Sequence, residues 1–180
     1  ISMYYNNSSA NDGQATTSVW DSNFKTVIHL NETSGATTSD STSNANSGAK
    51  FSASDPTSTS TGQINGAQYF DGSNDFINLG NPTSLNISGN LTLSTWVKFS
   101  TSQINKVLFG RWGSDESYGL FISGAVSNKL SFCIRVSNVN KCATSTSAYN
   151  DGLWHFVVGT FNGSNVNLRI DGITENVTGD

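Results

Sequence analysis

The sequence has little charge, and its charges do not cluster. Lys, Arg, Asp and Glu make up 12% of the 180 residues, and the formal net charge is −4. The nine basic residues are scattered between Lys25 and Arg169. A protein that binds nucleic acid needs a patch of Lys and Arg to neutralise phosphates, so we expect no nucleic-acid partner.

Long apolar runs are also missing. No stretch approaches the roughly 20 consecutive apolar residues that a helix needs to cross a bilayer, so we expect no membrane span. Ser, Thr and Asn instead supply 70 of the 180 residues. Solubility that rests on neutral polar groups is common in secreted and cell-surface β-proteins.

Residues suited to catalysis are few. Glycosidases need two carboxyl groups about 5–10 Å apart. The three glutamates, Glu32, Glu116 and Glu175, lie far apart in the sequence, with no Glu-x-Asp-x-x-Glu arrangement. The two histidines, His29 and His155, lack the spacing of a metal site or a catalytic triad, and we assign them structural roles. The sequence therefore predicts that the protein is not an enzyme.

The two cysteines, Cys133 and Cys142, lie in the stretch LSFCIRVSNVNKCATS. If Ser137 and Asn138 form a two-residue hairpin turn, counting outward pairs Val136 with Val139 and then Cys133 with Cys142. A non-hydrogen-bonded pair has Cα atoms about 4.5 Å apart, which suits a disulfide. We predict this disulfide rather than two free thiols, with a stabilisation of about 2–3 kcal/mol.

Two stretches alternate short apolar strands with Gly, Asn and Asp turns. They are NGAQYFDGSNDFINLGNPTSLNISGNLTLSTWVKF at 65–99 and YNDGLWHFVVGTFNGSNVNLRIDG at 149–172. Together they resemble the laminin-G-like branch of the concanavalin A-like lectin/glucanase superfamily. The resemblance implies an all-β fold, an antiparallel jelly-roll β-sandwich in an extracellular or cell-surface protein.

The resemblance also predicts the domain organisation. It covers residues 19–180 and stops before the family's last strands, so we expect a sandwich that lacks its closing strand. Residues 1–18 form an N-terminal strand and a polar linker, similar to the tail of a domain of unknown function that precedes such modules in secreted microbial proteins. The Asp-Ser-x-x-Asn loop of the family matches Asp40 to Asn44.

Strand positions follow from apolar alternation and turn residues. In the last predicted strand, Val166, Leu168 and Ile170 fall on one face, as in a half-buried antiparallel strand. No window has a sustained helical period, so we expect little helix. The predicted strands are 2–5, 25–30, 67–70, 76–79, 91–99, 106–111, 118–122, 129–136, 141–145, 155–161 and 165–170.

Aromatic residues in a strand-end loop are the best candidates for ligand contacts. Exposed indole and phenol rings stack on sugar rings, whereas Trp96 and Trp154 match core positions of the family and should be buried. Trp112 lies in the charged loop FGRWGSDESYG. The predicted ligand-binding patch consists of Arg111, Trp112, Asp115 and Tyr118.

The turn DGSND offers Asp71 and Asp75 as oxygen ligands. Ca²⁺ is the candidate ion, since it prefers carboxylate and carbonyl oxygens. The alternative is that Asp71 caps the Asp-Gly turn through backbone amides. No other cofactor is expected.

Seven Asn-x-Ser/Thr sequons are candidate glycosylation sites, and the abundance of Asn, Ser and Thr alone explains their number. Asn162, at a hairpin tip, is the most accessible of them. The others are Asn6, Asn7, Asn31, Asn86, Asn90 and Asn176.

Two functions fit these observations. The first is a non-catalytic module for adhesion, which binds carbohydrate or protein. The second is a structural subunit of an extracellular filament, in which Ile1, Met3 and Tyr5 enter the incomplete sandwich of a neighbouring copy by strand exchange. The simpler interpretation of residues 1–5 is a domain border.

Overall fold

The computed structural model describes residues 18–51, 55–113, 117–123 and 125–176. This part of the chain contains twelve strands and one short 3-10 helix, Thr83–Leu85. The strands are β1 (Thr37–Thr38), β2 (Gly48–Ala49), β3 (Thr57–Thr59), β4 (Ala67–Tyr69), β5 (Leu91–Val97), β6 (Lys106–Arg111), β7 (Ser117–Ile122), β8 (Leu130–Val136), β9 (Val139–Thr144), β10 (His155–Phe161), β11 (Val166–Ile170) and β12 (Ile173–Asn176).

Two four-stranded antiparallel sheets form the sandwich. The first has the order β12-β11-β10-β5, and the second has the order β6-β7-β8-β9. Consecutive strands in the second sheet are all joined as hairpins, so its pairing follows the chain. The fold is therefore the predicted all-β concanavalin A-like sandwich.

The core lies between these sheets. Phe132 of β8 is fully buried and packs against Gly159 of β10, where a Cβ atom would lie 2.2 Å from the Phe132 Cγ. Leu120, Leu130 and Leu168 are also fully buried. Because alternate residues of each strand point inward, Val166, Leu168 and Ile170 share the buried face as predicted.

The β8–β9 hairpin has the predicted register. Val136 pairs with Val139 and Cys133 pairs with Cys142. Ser137 and Asn138 both have positive φ, 51° and 64°, which is the backbone of a type I′ turn. The two cysteines form a disulfide with their Cα atoms 4.1 Å apart.

Residues 18–70 do not contribute strands to the two four-stranded sheets. They contain only two small ribbons, β1–β2 and β3–β4, in the described part of the chain. The predicted strand at 25–30 is wrong, because this segment makes one isolated bridge, from Ile28 to Asp40. The predicted strand at 76–79 is likewise reduced to a bridge between Asn78 and Ala49.

The two tryptophans that the sequence predicts to be buried are both at least partly accessible. Trp96 is 39% exposed on the outer side of β5, so its predicted burial is wrong, while Trp154 is half-buried and donates its indole N–H to the Thr61 carbonyl (3.2 Å).

Strand β12 was not predicted, and it pairs with β11. The predicted strand at 2–5 and the boundary at residue 18 of the predicted linker are not tested, since residues 1–17 lie outside the described part.

Candidate functional site

The outer face of the β6–β9 sheet carries an exposed aromatic group. Trp112, directly after β6, is 42% exposed, and its ring meets that of Phe121 on β7 edge-to-face, with centroids 5.1 Å apart and planes at 82°. Val107 pairs with Phe121 across the two strands and is also exposed. We call Val107, Trp112 and Phe121, with the glycines between them, the aromatic platform.

Two glycines give this platform its shape. Gly110 and Gly119 pair directly across β6 and β7, and a Cβ at Gly110 would lie 2.6 Å from the Gly119 Cα. The Phe121 ring lies over Gly119, where a Cβ would be 2.7 Å from the ring's Cζ. Only glycine allows this close approach of the Phe121 ring to the backbone of the sheet.

A β-bulge places the platform residues on one face. The pairing of β6 and β7 shifts between Val107 and Phe109, and this inserts one residue, Leu108. Without the bulge, Val107 and Gly110 would point to opposite sides, because side chains alternate along a strand. The bulge thus aligns Val107 with Trp112.

The structure does not bring the predicted ligand-binding residues together on one exposed surface. Trp112 is exposed, and Arg111 donates from Nε to the Asn81 side-chain oxygen (3.1 Å). Tyr118, in contrast, is 3% exposed, and its hydroxyl donates to the Leu85 carbonyl (2.7 Å), so the structure places it in the core. Burial raises the pKa of Tyr118. Asp115 lies outside the described residues.

The DGSND turn forms its own hydrogen bonds. The Asp71 carboxylate accepts from the backbone N–H groups of Ser73 (2.7 Å) and Asn74 (3.3 Å). Asp75 accepts from the Asp71 N–H (2.8 Å), and Lys106 donates its ammonium to the Gly72 carbonyl. Both carboxylates therefore accept hydrogen bonds from backbone N–H groups of the turn. Calcium binding at Asp71 and Asp75 stays a prediction.

A charged cluster lies at one end of the β12-β11-β10-β5 sheet. His155 Nδ1 is 2.7 Å from Asp171, and its Nε2 is 3.1 Å from Asp151. Burial lowers the pKa of His155, but the two carboxylates outweigh this effect and the net pKa is raised. In the protonated histidine both imidazole nitrogens donate, one to each carboxylate.

Glu175 on β12 belongs to the same region. It accepts from the Tyr149 hydroxyl and from the Thr146 N–H (2.9 Å), which ties the last described strand to the segment after β9. Burial and the Glu175 carboxylate raise the pKa of Tyr149. The sequence interpretation missed this cluster, although the Asp-Gly turns at Asp151 and Asp171 on either side of β10 and β11 were visible signals.

The described sequons are all exposed: Asn31, Asn86, Asn90 and Asn162. Asn162 Oδ1 accepts from the Ser164 and Asn165 N–H groups, which orders the hairpin tip. Asn6 and Asn7 lie outside the described residues, and glycosylation, including at Asn176, stays a prediction. No helix in the described stretches is long and apolar enough to cross a bilayer.

Comparison with known proteins places the fold in a family. A profile of laminin-G-like domains, described as concanavalin A-like lectin/glucanases superfamily, matches residues 71–179. No curated protein matches the chain. The crystal structure of an S-layer domain-containing protein from Clostridium thermocellum (residues 221–444) is similar, with a TM-score of 0.54 and 21% identity over 85% of this chain and 71% of that one. The chain thus belongs to the laminin-G-like family of the concanavalin A-like lectin/glucanase superfamily.

Proposed function

We propose that this chain is a non-catalytic extracellular module that binds carbohydrate on the aromatic platform. The observation that carries the proposal is the exposed Trp112 ring, which packs edge-to-face with the Phe121 ring. An aromatic ring that is both exposed and fixed offers a flat apolar surface at a small entropic cost. The C–H face of a pyranose ring is its natural partner.

The surroundings of Trp112 suit an extended ligand. Gly110 and Gly119 carry no side chains of their own, so a glycan chain can lie along β6 and β7 over the Phe121 ring. Arg111, held by Asn81, pairs with Tyr118 and therefore points to the opposite side of β6 from Gly110. The proposed contact with the ligand is therefore the apolar surface of the platform.

An extracellular location is consistent with the covalent structure. The Cys133–Cys142 disulfide forms and persists in oxidising compartments. An S-layer domain-containing protein shares this fold.

The electrostatics of the acidic residues favour binding over catalysis. A carboxyl group that protonates a glycosidic oxygen needs a raised pKa. The pKa is lowered instead at Asp40, Asp151, Asp171 and Glu175. Each of these carboxylates accepts hydrogen bonds from its own surroundings, so each is suited to a structural role.

The test is binding to a panel of insoluble polysaccharides (cellulose, chitin, xylan and bacterial peptidoglycan) by co-sedimentation. Trp112→Ala should reduce binding to the preferred polymer at least tenfold. Trp96→Ala is the matched control, because Trp96 is 39% exposed, also contacts a phenylalanine, and lies on the other sheet. Equal binding by wild type and Trp112→Ala, or no binding to any polymer, would contradict the proposal.

A second candidate function rests on the edge of the first sheet. β5 is the last strand in the order β12-β11-β10-β5, and only β10 pairs with it in the described part of the chain. An unpaired edge can accept a strand from a neighbour. Strand exchange by Ile1, Met3 and Tyr5, which lie outside the described residues, would build a filament.

Light scattering distinguishes this second candidate. The chain should form multimers that disappear when residues 1–5 are removed. An unchanged solution mass after the deletion would contradict strand exchange and leave the carbohydrate proposal standing.

A further inference from the structure

Arg135 on β8 gives the outer face of the β6–β9 sheet a positive charge. Its neighbour Ile134 is 2% exposed in the core, so Arg135 points outward, because successive side chains of a strand alternate between the two faces. The other side chains on the described part of this face are neutral: Val107, Trp112, Phe121, Ser131, Asn140 and Thr144. Among the described residues, Arg135 is therefore the charged group of the outer face.

The other basic residues of these four strands point to the opposite side. Residues directly opposite each other in a strand pair lie on the same face of the sheet. Each of these basic residues is paired with a buried core residue: Lys106 with Ile122, Arg111 with Tyr118, and Lys141 with Ile134. A ligand on the outer face would thus meet the charge of Arg135 and not that of its basic neighbours.

Arg135 lies on the same face as the aromatic platform. By the register of β6 and β7, Trp112 lies opposite Ser117, and Ser117 pairs with Arg135 on β8. Neighbouring strands are about 4.8 Å apart, so the Cα atoms of Trp112 and Arg135 are about 10 Å apart. A glycan chain that lies over the platform therefore passes within reach of the Arg135 side chain.

The Arg135 guanidinium keeps N–H donors for a ligand. A terminal N–H group donates to the Asn138 side-chain oxygen (3.0 Å), which holds the side chain from the β8–β9 turn. Its Nε is buried without a hydrogen-bond partner, and the ion pairs found in the described stretches involve only His155. No described carboxylate therefore neutralises this guanidinium, whose planar fork of donors matches the geometry of a carboxylate.

We propose that Arg135 makes the platform selective for glycans that carry carboxylates, such as polymers of uronic acids. The inference rests on the proposed function, because Trp112 and Phe121 hold the sugar while the Arg135 guanidinium binds the carboxylate. Hydrogen bonds between two charged groups are shorter and stronger than those between neutral groups. Arg135 is thus a specificity-determining residue of the platform.

The overall charge of the chain does not favour such a ligand. The formal net charge is −4, so the chain as a whole repels a polyanion. A preference for an acidic glycan must therefore come from a cation that contacts the glycan. The described outer face offers Arg135 for this contact.

Affinity electrophoresis with matched polymers tests the proposal. The polymers are polygalacturonate, alginate and hyaluronan, each compared with its own methyl ester, which keeps the sugar backbone and removes the charge. Wild-type protein should bind at least one acid about tenfold more tightly than the matching ester, whereas Arg135→Gln should bind the two forms equally. Arg169→Gln is the matched control, because Arg169 is exposed on the other sheet, and it should keep the wild-type preference.

Trp112→Ala separates this inference from the proposed function. It should weaken binding to acid and ester alike, because the ring contacts the sugar in both. Equal wild-type affinity for acid and ester, with binding still lost in Trp112→Ala, would overturn the selectivity and leave the proposed function standing. Binding to none of the polymers, or binding that Trp112→Ala leaves intact, would overturn both. The comparison of acid with ester uses wild-type protein, so its result does not depend on the folding of the variants.

Discussion

The sandwich (residues 71–176) and the N-terminal region (residues 18–70) are held together by different forces. Hydrophobic side chains fill the sandwich, with Phe132, Leu120 and Leu130 fully buried. Apart from Pro56, the buried side chains described in the N-terminal region are polar: Thr38, Thr42, Asn46, Lys50 and Gln68. Apolar burial is non-directional, whereas a buried polar group must find a partner in a specific direction.

One carboxylate organises much of the N-terminal region. Asp40 Oδ1 accepts from the N–H groups of Val27 (2.8 Å) and Thr42 (3.0 Å), and its Oδ2 accepts from the Asn46 N–H (2.8 Å) and the Thr42 hydroxyl. Asn46 in turn bonds Ser84 (2.9 Å), which links the region to the sandwich. The family match, which begins at residue 71, covers the part with the apolar core.

The largest expected loss of stability comes from removing an aromatic ring from the sandwich core rather than from the N-terminal region. Phe132→Ala should lower the free energy of unfolding by about 3–5 kcal/mol, because it leaves a cavity over Gly159. Phe51→Ala, in the N-terminal region, should cost about 1 kcal/mol, since Phe51 is 49% exposed and only stacks on Phe76. Urea denaturation measures both values. Equal losses would show that the N-terminal region has an apolar core of its own.

A second substitution tests how much the hydrogen bonds of Asp40 stabilise the N-terminal region. Asp40→Ala should lower the free energy of unfolding by about 3 kcal/mol, because several backbone donors lose a charged acceptor. Asp21→Ala is the control, since Asp21 is exposed and its carboxylate accepts from the nearby Asn23. A loss below about 1 kcal/mol at Asp40 would mean that water replaces the carboxylate without penalty.

Asp40 also makes the free energy of unfolding depend on pH. Burial raises the pKa of Asp40, but the hydrogen bonds outweigh it and the net pKa is lowered. A lowered folded-state pKa gives stability that is present above the unfolded value of about 3.9 and is lost as pH falls through the folded pKa. Wild-type protein should therefore lose stability in acid more steeply than Asp40→Ala.

Sequence patterns predicted the sandwich well because hairpins and apolar alternation encode it. Strand β6 was predicted at its observed bounds, and the β8–β9 register followed from counting outward from Ser137 and Asn138. Burial on the outer faces was harder to predict. Trp96 alternates with core residues of β5 and so points outward, a placement that a family match by position did not reveal.

The N-terminal region could not be predicted in the same way. Its strands are two or three residues long, too short for a period of two to be visible. The segment 25–30 is apolar enough to suggest a strand, but Leu30 has φ of 57°, a left-handed conformation that ends any extended run. Asp40 was recognised only as part of a family loop, and its four acceptor contacts depend on tertiary structure.

The disulfide adds a covalent bond to one hairpin of the sandwich. Replacing Cys133 and Cys142 by serine should lower the free energy of unfolding by about 2–3 kcal/mol, because the bridge closes a short loop. The hairpin register should survive, since the type I′ turn and the buried Ile134 also fix it. Urea denaturation gives the stability, and amide exchange across β8 and β9 reports the register. A loss of protection along both strands would show that the bridge sets the register.

The smallest expected effect concerns the end of the sandwich where polar side chains surround His155. The pKa of His155 is raised above its ordinary value of about 6.5 because Asp171 and Asp151 outweigh the effect of burial. A raised folded-state pKa gives stability that is fully present below the unfolded pKa and is lost as pH rises through the folded pKa. Thermal melts between pH 6 and 9 should therefore show a decline in wild type that His155→Gln lacks, while His29→Gln, at an exposed site, keeps it. Parallel profiles for wild type and His155→Gln would mean that the histidine stays neutral, so the sandwich would then rely on its apolar core even at its charged end.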